Sequence, residues 1–248
     1  MHDYISDELF HFVGHSNPTD HDKNLSTLLA VIRSGCVACK PPDSDDIVIG
    51  WGVTEVKHDR DKKLENEELV VSGITCYCDI PFELLNRHTA KYGCFGLSFE
   101  RSLLIRVGAR PVTYVPMRSD DWRSPYGRTM LRDIEATFEG FTRHLYDPLG
   151  DDLPNGSRGV GAIPTNATES IRALYSLVIR DMLAFIKPYD AELPADDFNY
   201  FYSEREWRRL GGLKFSTDEI CTVIVKDGYE DKFREEMPDF PGEVKVVK

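Results

Sequence analysis

Asn199-Tyr200-Phe201-Tyr202-Ser203-Glu204-Arg205-Glu206-Trp207-Arg208-Arg209 is the stretch whose reading decides how the chain is organised. Three consecutive aromatic residues, Tyr200-Phe201-Tyr202, lead into charges of alternating sign, Glu204-Arg205-Glu206, and the run Tyr200–Trp207 reads as a strand. Read as a strand, it sets Tyr200, Tyr202, Glu204, Glu206 and Arg208 on one face. Glu204 and Glu206 then stand roughly 7 Å apart on that face. Two readings stay open. Lining a cleft beside aromatic groups, one carboxylate gains a raised pKa and serves as a base or holds a ribose hydroxyl. On a sheet edge, the alternating charges are solvated and guard against edge-to-edge pairing.

The segment upstream of this stretch has a different period. Leu131, Ile134, Phe138, Phe141 and Leu145 recur at helical spacing, as do Ile171, Leu174, Val178, Met182 and Phe185, which run up to Lys187-Pro188. A Gly/Pro/Asp-rich loop, 147–166, joins the two. Residues 118–195 therefore read as a helical insertion between strand-rich halves. Before it, strand patterns fall at Leu9–Val13, Val70–Asp79, Cys94–Phe99 and Pro111–Val115. After it, they fall at Leu213–Phe215, Ile220–Val225 and Glu243–Val247. A helix over Leu25–Ile32 has Asn24 as its cap and Gly35 as its stop. Pro81 opens another helix, and a short one ends at Gly108. Residues 40–68 read as an exposed, charged excursion with one apolar stretch, Ile47-Val48-Ile49. The expectation is a single α+β domain over 1–248, with a mixed or antiparallel sheet core and a helical insertion at about 118–195. The strands bearing His11, Tyr77 and Glu206 should share that core.

The chain has 248 residues, with 42 acidic and 30 basic side chains and a net charge of −12. That balance disfavours a whole-surface binder of nucleic acid or anionic membrane. No apolar run approaches the roughly 18 residues of a membrane span, and Met1-His2-Asp3-Tyr4 is unlike a signal peptide. A cytoplasmic protein is expected. Cys36-x-x-Cys39 has the spacing of half a zinc site, but Cys76-x-Cys78 is one residue short of a second half. Free thiols and no metal are expected for Cys36, Cys39, Cys76, Cys78, Cys94 and Cys221. The sequence contains no phosphate-binding P-loop, no dinucleotide fingerprint and no Gly-x-Ser-x-Gly elbow. His11, between Phe10 and Phe12, is either a ligand-binding histidine or a satisfied core or edge residue, and His88 carries the same alternatives. Asp79, at a strand-to-helix junction, is expected to cap the helix that follows.

Several motifs occur in order: His11-Phe12-Val13-Gly14, Cys76-Tyr77-Cys78-Asp79-Ile80-Pro81, His88-x-x-Lys91-Tyr92-Gly93-x-Phe95-Gly96-Leu97-Ser98-Phe99, Gly108-Ala109-x-Pro111-Val112-x-Tyr114 and Asn199-Tyr200-x-x-x-Glu204-Arg205-Glu206-Trp207-Arg208. This set resembles the AbiGi abortive phage-resistance family of bacteria, labelled the antitoxin of a two-component AbiG system. The resemblance implies a phage-defence role and a partner toxin encoded alongside. A more distant resemblance is to ADP-ribosyltransferases, through a His-bearing first strand, a helix ending in Ser-Gly, a middle strand of aromatic and small polar residues, and a late Glu-x-Glu. It implies NAD as substrate, held by His11 and Tyr77. It makes Glu206 the catalytic carboxylate that stabilises the oxocarbenium ion as nicotinamide leaves, with Glu204 its helper. The middle strand departs from the usual Ser-Thr-Ser, and Arg205 and Arg208 crowd the glutamates. Two functions follow: an ADP-ribosyltransferase-like enzyme acting on a macromolecular acceptor, or a non-catalytic, antitoxin-like module that neutralises a toxin by contact.

Overall fold

Leu25, Leu28, Leu29 and Ile32 bury as one stripe of a helix, His21–Ser34 (α1). The cap is Asp20, whose carboxylate accepts the Lys23 N–H at 3.2 Å. Asn24 lies one turn too far in to do this, and its amide instead donates to the Asn17 carbonyl at 3.0 Å. Gly35 ends the helix as expected, at φ +60°, a conformation that costs a side chain but not glycine.

The computed structural model describes residues 6–37, 56–117, 126–149, 166–197 and 199–248. The strands in chain order are β1 (Glu8–Phe12), β2 (Cys36–Val37), β3 (Val56–His58), β4 (Val70–Ser72), β5 (Ile74–Cys78), β6 (Gly96–Glu100), β7 (Arg110–Pro111), β8 (Thr113–Met117), β9 (Ile186–Asp190), β10 (Glu206–Leu210), β11 (Leu213–Lys214), β12 (Ile220–Lys226) and β13 (Glu243–Val247). After α1 come α2 (Asn86–Tyr92), α3 (Arg101–Arg106), α4 (Tyr126–Phe141), α5 (Ala167–Ser176) and α6 (Glu230–Glu236).

Seven strands form one mixed sheet in the order β13-β12-β6-β1-β5-β10-β7. Only β12 and β13 run parallel in it. The fold is therefore α+β with a mixed sheet, and the strands bearing His11, Tyr77 and Glu206 are direct neighbours. Leu9, Leu97, Phe99, Val223 and Ile224 from this sheet, all fully buried, share one core cluster with the α1 stripe and with Phe233 of α6. A second cluster joins Leu131 and Phe138 of α4 to Ile179, Leu183, Val115, Leu64 and Leu69.

Further sequence expectations change in the structure: the run Pro111–Val115 is split at Val112 between β7 in the main sheet and β8, which pairs with β9 outside it. The run Val70–Asp79 is two strands broken at Gly73, and β4 pairs with β3, outside the main sheet. The excursion 40–68, in its described part, is not wholly exposed: Leu64 seats in the second cluster. Ile47-Val48-Ile49 and most of the 147–166 loop lie outside the described residues. The described part of 118–195 is mostly helical but includes β9, which pairs parallel with β8; the β-branched Ile186, and Pro188, which cannot continue the helix, suit the extended backbone there. Finally, the 199–209 stretch is strand only from Glu206. Phe201–Glu204 is a tight 3-10 turn, and Arg205 follows it in the left-handed region at φ +47°.

Candidate functional site

The register of β10 on β5 builds the site. Glu206 pairs with Cys78 and Arg208 with Cys76, so these four side chains share one face of the sheet. The left-handed Arg205 turns the preceding backbone so that Glu204 also points inward. Both carboxylates are buried, with side chains 8% exposed. Helix α2 adds His88, Lys91 and Tyr92, and β9 adds Lys187. The resulting cleft has a volume of about 400 Å³ and is lined by His11, His88, Tyr92, Lys187, Glu204 and Glu206, among others.

Its charges are closely paired. Arg208 Nε donates to Glu206 Oε1 at 2.7 Å, and Lys187 Nζ reaches Glu206 Oε2 at 2.8 Å. Lys187 also stands 3.4 Å from Glu204 Oε2. Lys91 Nζ is 2.6 Å from Glu204 Oε1, which also accepts the Tyr92 hydroxyl. Arg208 continues to Glu67, which arrives from the turn after Leu64–Asn66, and donates to the Ala184 carbonyl at 2.9 Å. The Glu206 N–H donates to the Tyr114 hydroxyl oxygen at 2.7 Å. Three carboxylates therefore face three cations. Burial by itself would raise the Glu206 pKa, but the charges and hydrogen bonds of Arg208 and Lys187 outweigh it and hold the carboxyl at about 2. Glu204 is lowered for the same reason, by Lys187, Lys91 and Tyr92 against its own burial. Lys187, whose burial favours the neutral form, is nonetheless held above its ordinary pKa by Glu206, Glu67 and Glu204.

The histidines behave differently. His88 lies between Phe12 and Tyr92, with ring centroids 5.0 and 4.5 Å away. Burial lowers its pKa to about 4. His11 is lowered mainly by burial too. Its Nδ1 is 2.8 Å from the Cys76 carbonyl, which can only accept, so Nδ1 carries the proton. β1 and β5 pair only at Phe10–Cys78, and the imidazole bonds to β5 beyond that pair.

Of the four residues singled out from sequence, Glu204 and Glu206 meet in the cleft and His11 stands at its wall. Tyr77 also lines the cleft, but it pairs with Trp207 and not with Glu206; its side chain is 2% exposed, with the ring 5.7 Å from that of His11 and edge-on to Phe99. Nothing in the sequence marks Lys187 or Glu67 as site residues: Lys187 reads with Pro188 as a helix stop and Glu67 lies in the charged excursion 40–68, while Lys91 enters only as a member of the motif it shares with His88 and Tyr92. Asp79 does not cap a helix. It accepts from Arg101 at 2.7 Å and Arg205 at 3.2 Å and from the Ser6 N–H at 3.2 Å, because two guanidinium groups converge on it from α3 and from the turn before β10. The 3-10 turn after it starts at Pro81 without a side-chain cap.

Cys36, Cys76, Cys78, Cys94 and Cys221 are free, and Cys39 lies outside the described residues. Burial raises the thiol pKa of Cys78, which keeps it protonated and poorly nucleophilic. Among the described residues, no group of three or more His, Cys, Asp or Glu could hold a metal ion. None of the described helices is long and apolar enough to cross a membrane. No curated protein and no solved structure matches the chain. One family model does, over residues 54–237, and its description is "Putative abortive phage resistance protein AbiGi, antitoxin".

Proposed function

Since the chain belongs to the AbiGi family, we propose that it serves as the antitoxin of a two-component abortive-infection system and neutralises a partner toxin by contact, without chemistry of its own. The internal pairing of Glu204 and Glu206 carries this reading. A carboxylate that stabilises an oxocarbenium ion must offer charge that nothing else has claimed. Glu206 is claimed by Arg208 at 2.7 Å and Lys187 at 2.8 Å, and Glu204 by Lys91 at 2.6 Å. A positive centre entering the cleft would meet three fixed cations. Tyr77, assigned to the nicotinamide by resemblance, has a side chain that is 2% exposed and packed against His11 and Phe99. The net charge of −12 supports contact with a basic partner.

One observation favours a second reading, NAD-dependent ADP-ribosyl transfer: the cleft of about 400 Å³ has His11 and the two glutamates on its walls. In that reading His11 holds NAD, Glu206 serves as the catalytic carboxylate and Glu204 as its helper, and Lys187 has to withdraw as substrate enters. No match to an ADP-ribosyltransferase accompanies the layout.

Two measurements on the unaltered protein separate the readings. Incubated with NAD, it should release no nicotinamide above the rate in buffer. Co-expressed with the toxin of its system, it should restore growth and co-elute with the toxin as a stoichiometric complex. Sustained nicotinamide release, or rescue without any complex, would overturn the contact reading in favour of the enzyme.

A further inference from the structure

The turn Phe201–Glu204 has two sides. Phe201 faces inward, where Lys91 and Lys187 lie 4.3 and 4.8 Å from its ring centre. Its neighbours Tyr200 and Tyr202 join Tyr114 of β8 and Tyr189 of β9 in a cluster of four tyrosines. Tyr202 stacks on Tyr189 at 5.2 Å and 28° and meets Tyr114 edge-on at 5.2 Å. Tyr200 meets Tyr189 edge-on at 5.7 Å. Tyr202 is 50% exposed, an unusual position for a ring already stacked. The chain running from Tyr189 to Tyr200 is acidic, with Asp190, Glu192, Asp196 and Asp197. Glu192 and Asp196 are exposed. This loop is braced: Asp190 accepts the Glu192 N–H at 2.9 Å, Asp197 accepts the Asn199 N–H at 2.7 Å, and Arg87 donates to the Asp197 carbonyl.

We infer that the tyrosine cluster around Tyr202, with the acidic loop 190–197 beside it, is the docking surface for an arginine-rich face of a partner protein. This deepens the antitoxin reading and rests on it for the partner's role. The chemistry selects the occupant. Tyrosines offer large, rigid contact area at low entropic cost and are enriched where interfaces carry their energy. Their ring faces attract cations. Arginine, planar and weakly hydrated, both stacks on such rings and pairs in a fork with carboxylates, which lysine cannot do. Nucleic acid is disfavoured because its phosphates would meet the carboxylates of the loop.

The probe is a synthetic ten-residue arginine-rich peptide, compared by calorimetry at physiological salt with its all-lysine counterpart. Wild type should bind the arginine peptide about tenfold more tightly than the lysine one. Tyr202→Ala should weaken arginine-peptide binding roughly tenfold, the loss expected for a stacked ring at an interface centre. Tyr202→Phe, which keeps the ring, should stay within about twofold. The exposed pair Glu192→Lys with Asp196→Lys should weaken it comparably, a check that does not depend on the aromatic packing. Equal affinity for both peptides, or an unchanged Tyr202→Ala, would reduce the effect to diffuse attraction by net charge and overturn the assignment. The toxin distinguishes this failure from that of the underlying reading. If wild type binds toxin and Tyr202→Ala binds it equally well, the docking surface lies elsewhere and the antitoxin reading stands. If wild type ignores toxin while the arginine peptide binds at Tyr202, the surface stands and the antitoxin reading falls.

Discussion

Glu206→Gln should lower folding stability by roughly 3 kcal/mol, read as a shift in the denaturant midpoint with an unchanged slope. The amide matches the carboxylate in size, so packing survives, but Arg208 loses one of its two carboxylate partners and Lys187 its nearest counter-charge. Breaking a buried pair typically costs about 3–5 kcal/mol because the surviving charge stays desolvated. The lower end applies here, since Arg208 keeps Glu67 and Lys187 keeps Glu204 at 3.4 Å. Under the ADP-ribosyltransferase resemblance the same substitution would be silent for the fold and fatal only to turnover, whereas the pairing makes it a substitution felt by the fold. A Glu206→Gln protein as stable as wild type would show that the network contributes little.

A different group governs the response to mild acid. His88 must be neutral in the folded protein, where its pKa is about 4, whereas an unfolded histidine takes up a proton near 6.5. The unfolded chain therefore binds more protons between these values. Stability should be complete above about pH 6.5 and fall as pH drops toward 4, by at most about 3 kcal/mol from this residue. His11, lowered in the same direction, adds to the slope. Glu206 acts in a separate window, from its ordinary 4.5 down to about 2, where protonation removes what Arg208 and Lys187 contribute. His88→Phe fills the same aromatic space between Phe12 and Tyr92 with nothing to titrate. Its melting temperature should vary less with pH between 6.5 and 4 than that of wild type, the remainder being what His11 contributes, and a slope equal to wild type would assign the effect elsewhere.

The parts of the fold that were legible in the sequence are those with local causes. The α1 stripe, its glycine stop, and the apolar runs of β1, β6 and β12 follow from periodicity over a few residues. The convergence of Glu204 and Glu206 was legible in its result but not in its cause. A strand places residues i and i+2 on one face; here a 3-10 turn followed by a left-handed Arg205 achieves the same convergence. Lys187 and Glu67 were illegible because their partners lie far along the chain, and nothing beside them marks the pairing. Lys187-Pro188 reads as a helix stop at short range, and becomes a strand segment only when β8 offers its backbone. Asp79 failed for the same reason, since a capping role is local while its two arginines are tertiary.

Glu67, Glu204 and Glu206 set against Lys91, Lys187 and Arg208 make the cleft a closed electrical unit, neutral as a set. The excess of negative charge is then carried by the rest of the chain, exposed carboxylates such as Glu192 and Asp196 among them, where dissolved ions reach. Added salt shortens the range of those outer charges to a few ångströms but hardly penetrates between the buried partners. Ionic strength thus divides the molecule's electrostatics by depth. What it weakens is the long-range capture of a basic partner, and what it leaves standing is the clamp that joins β9, β10 and α2.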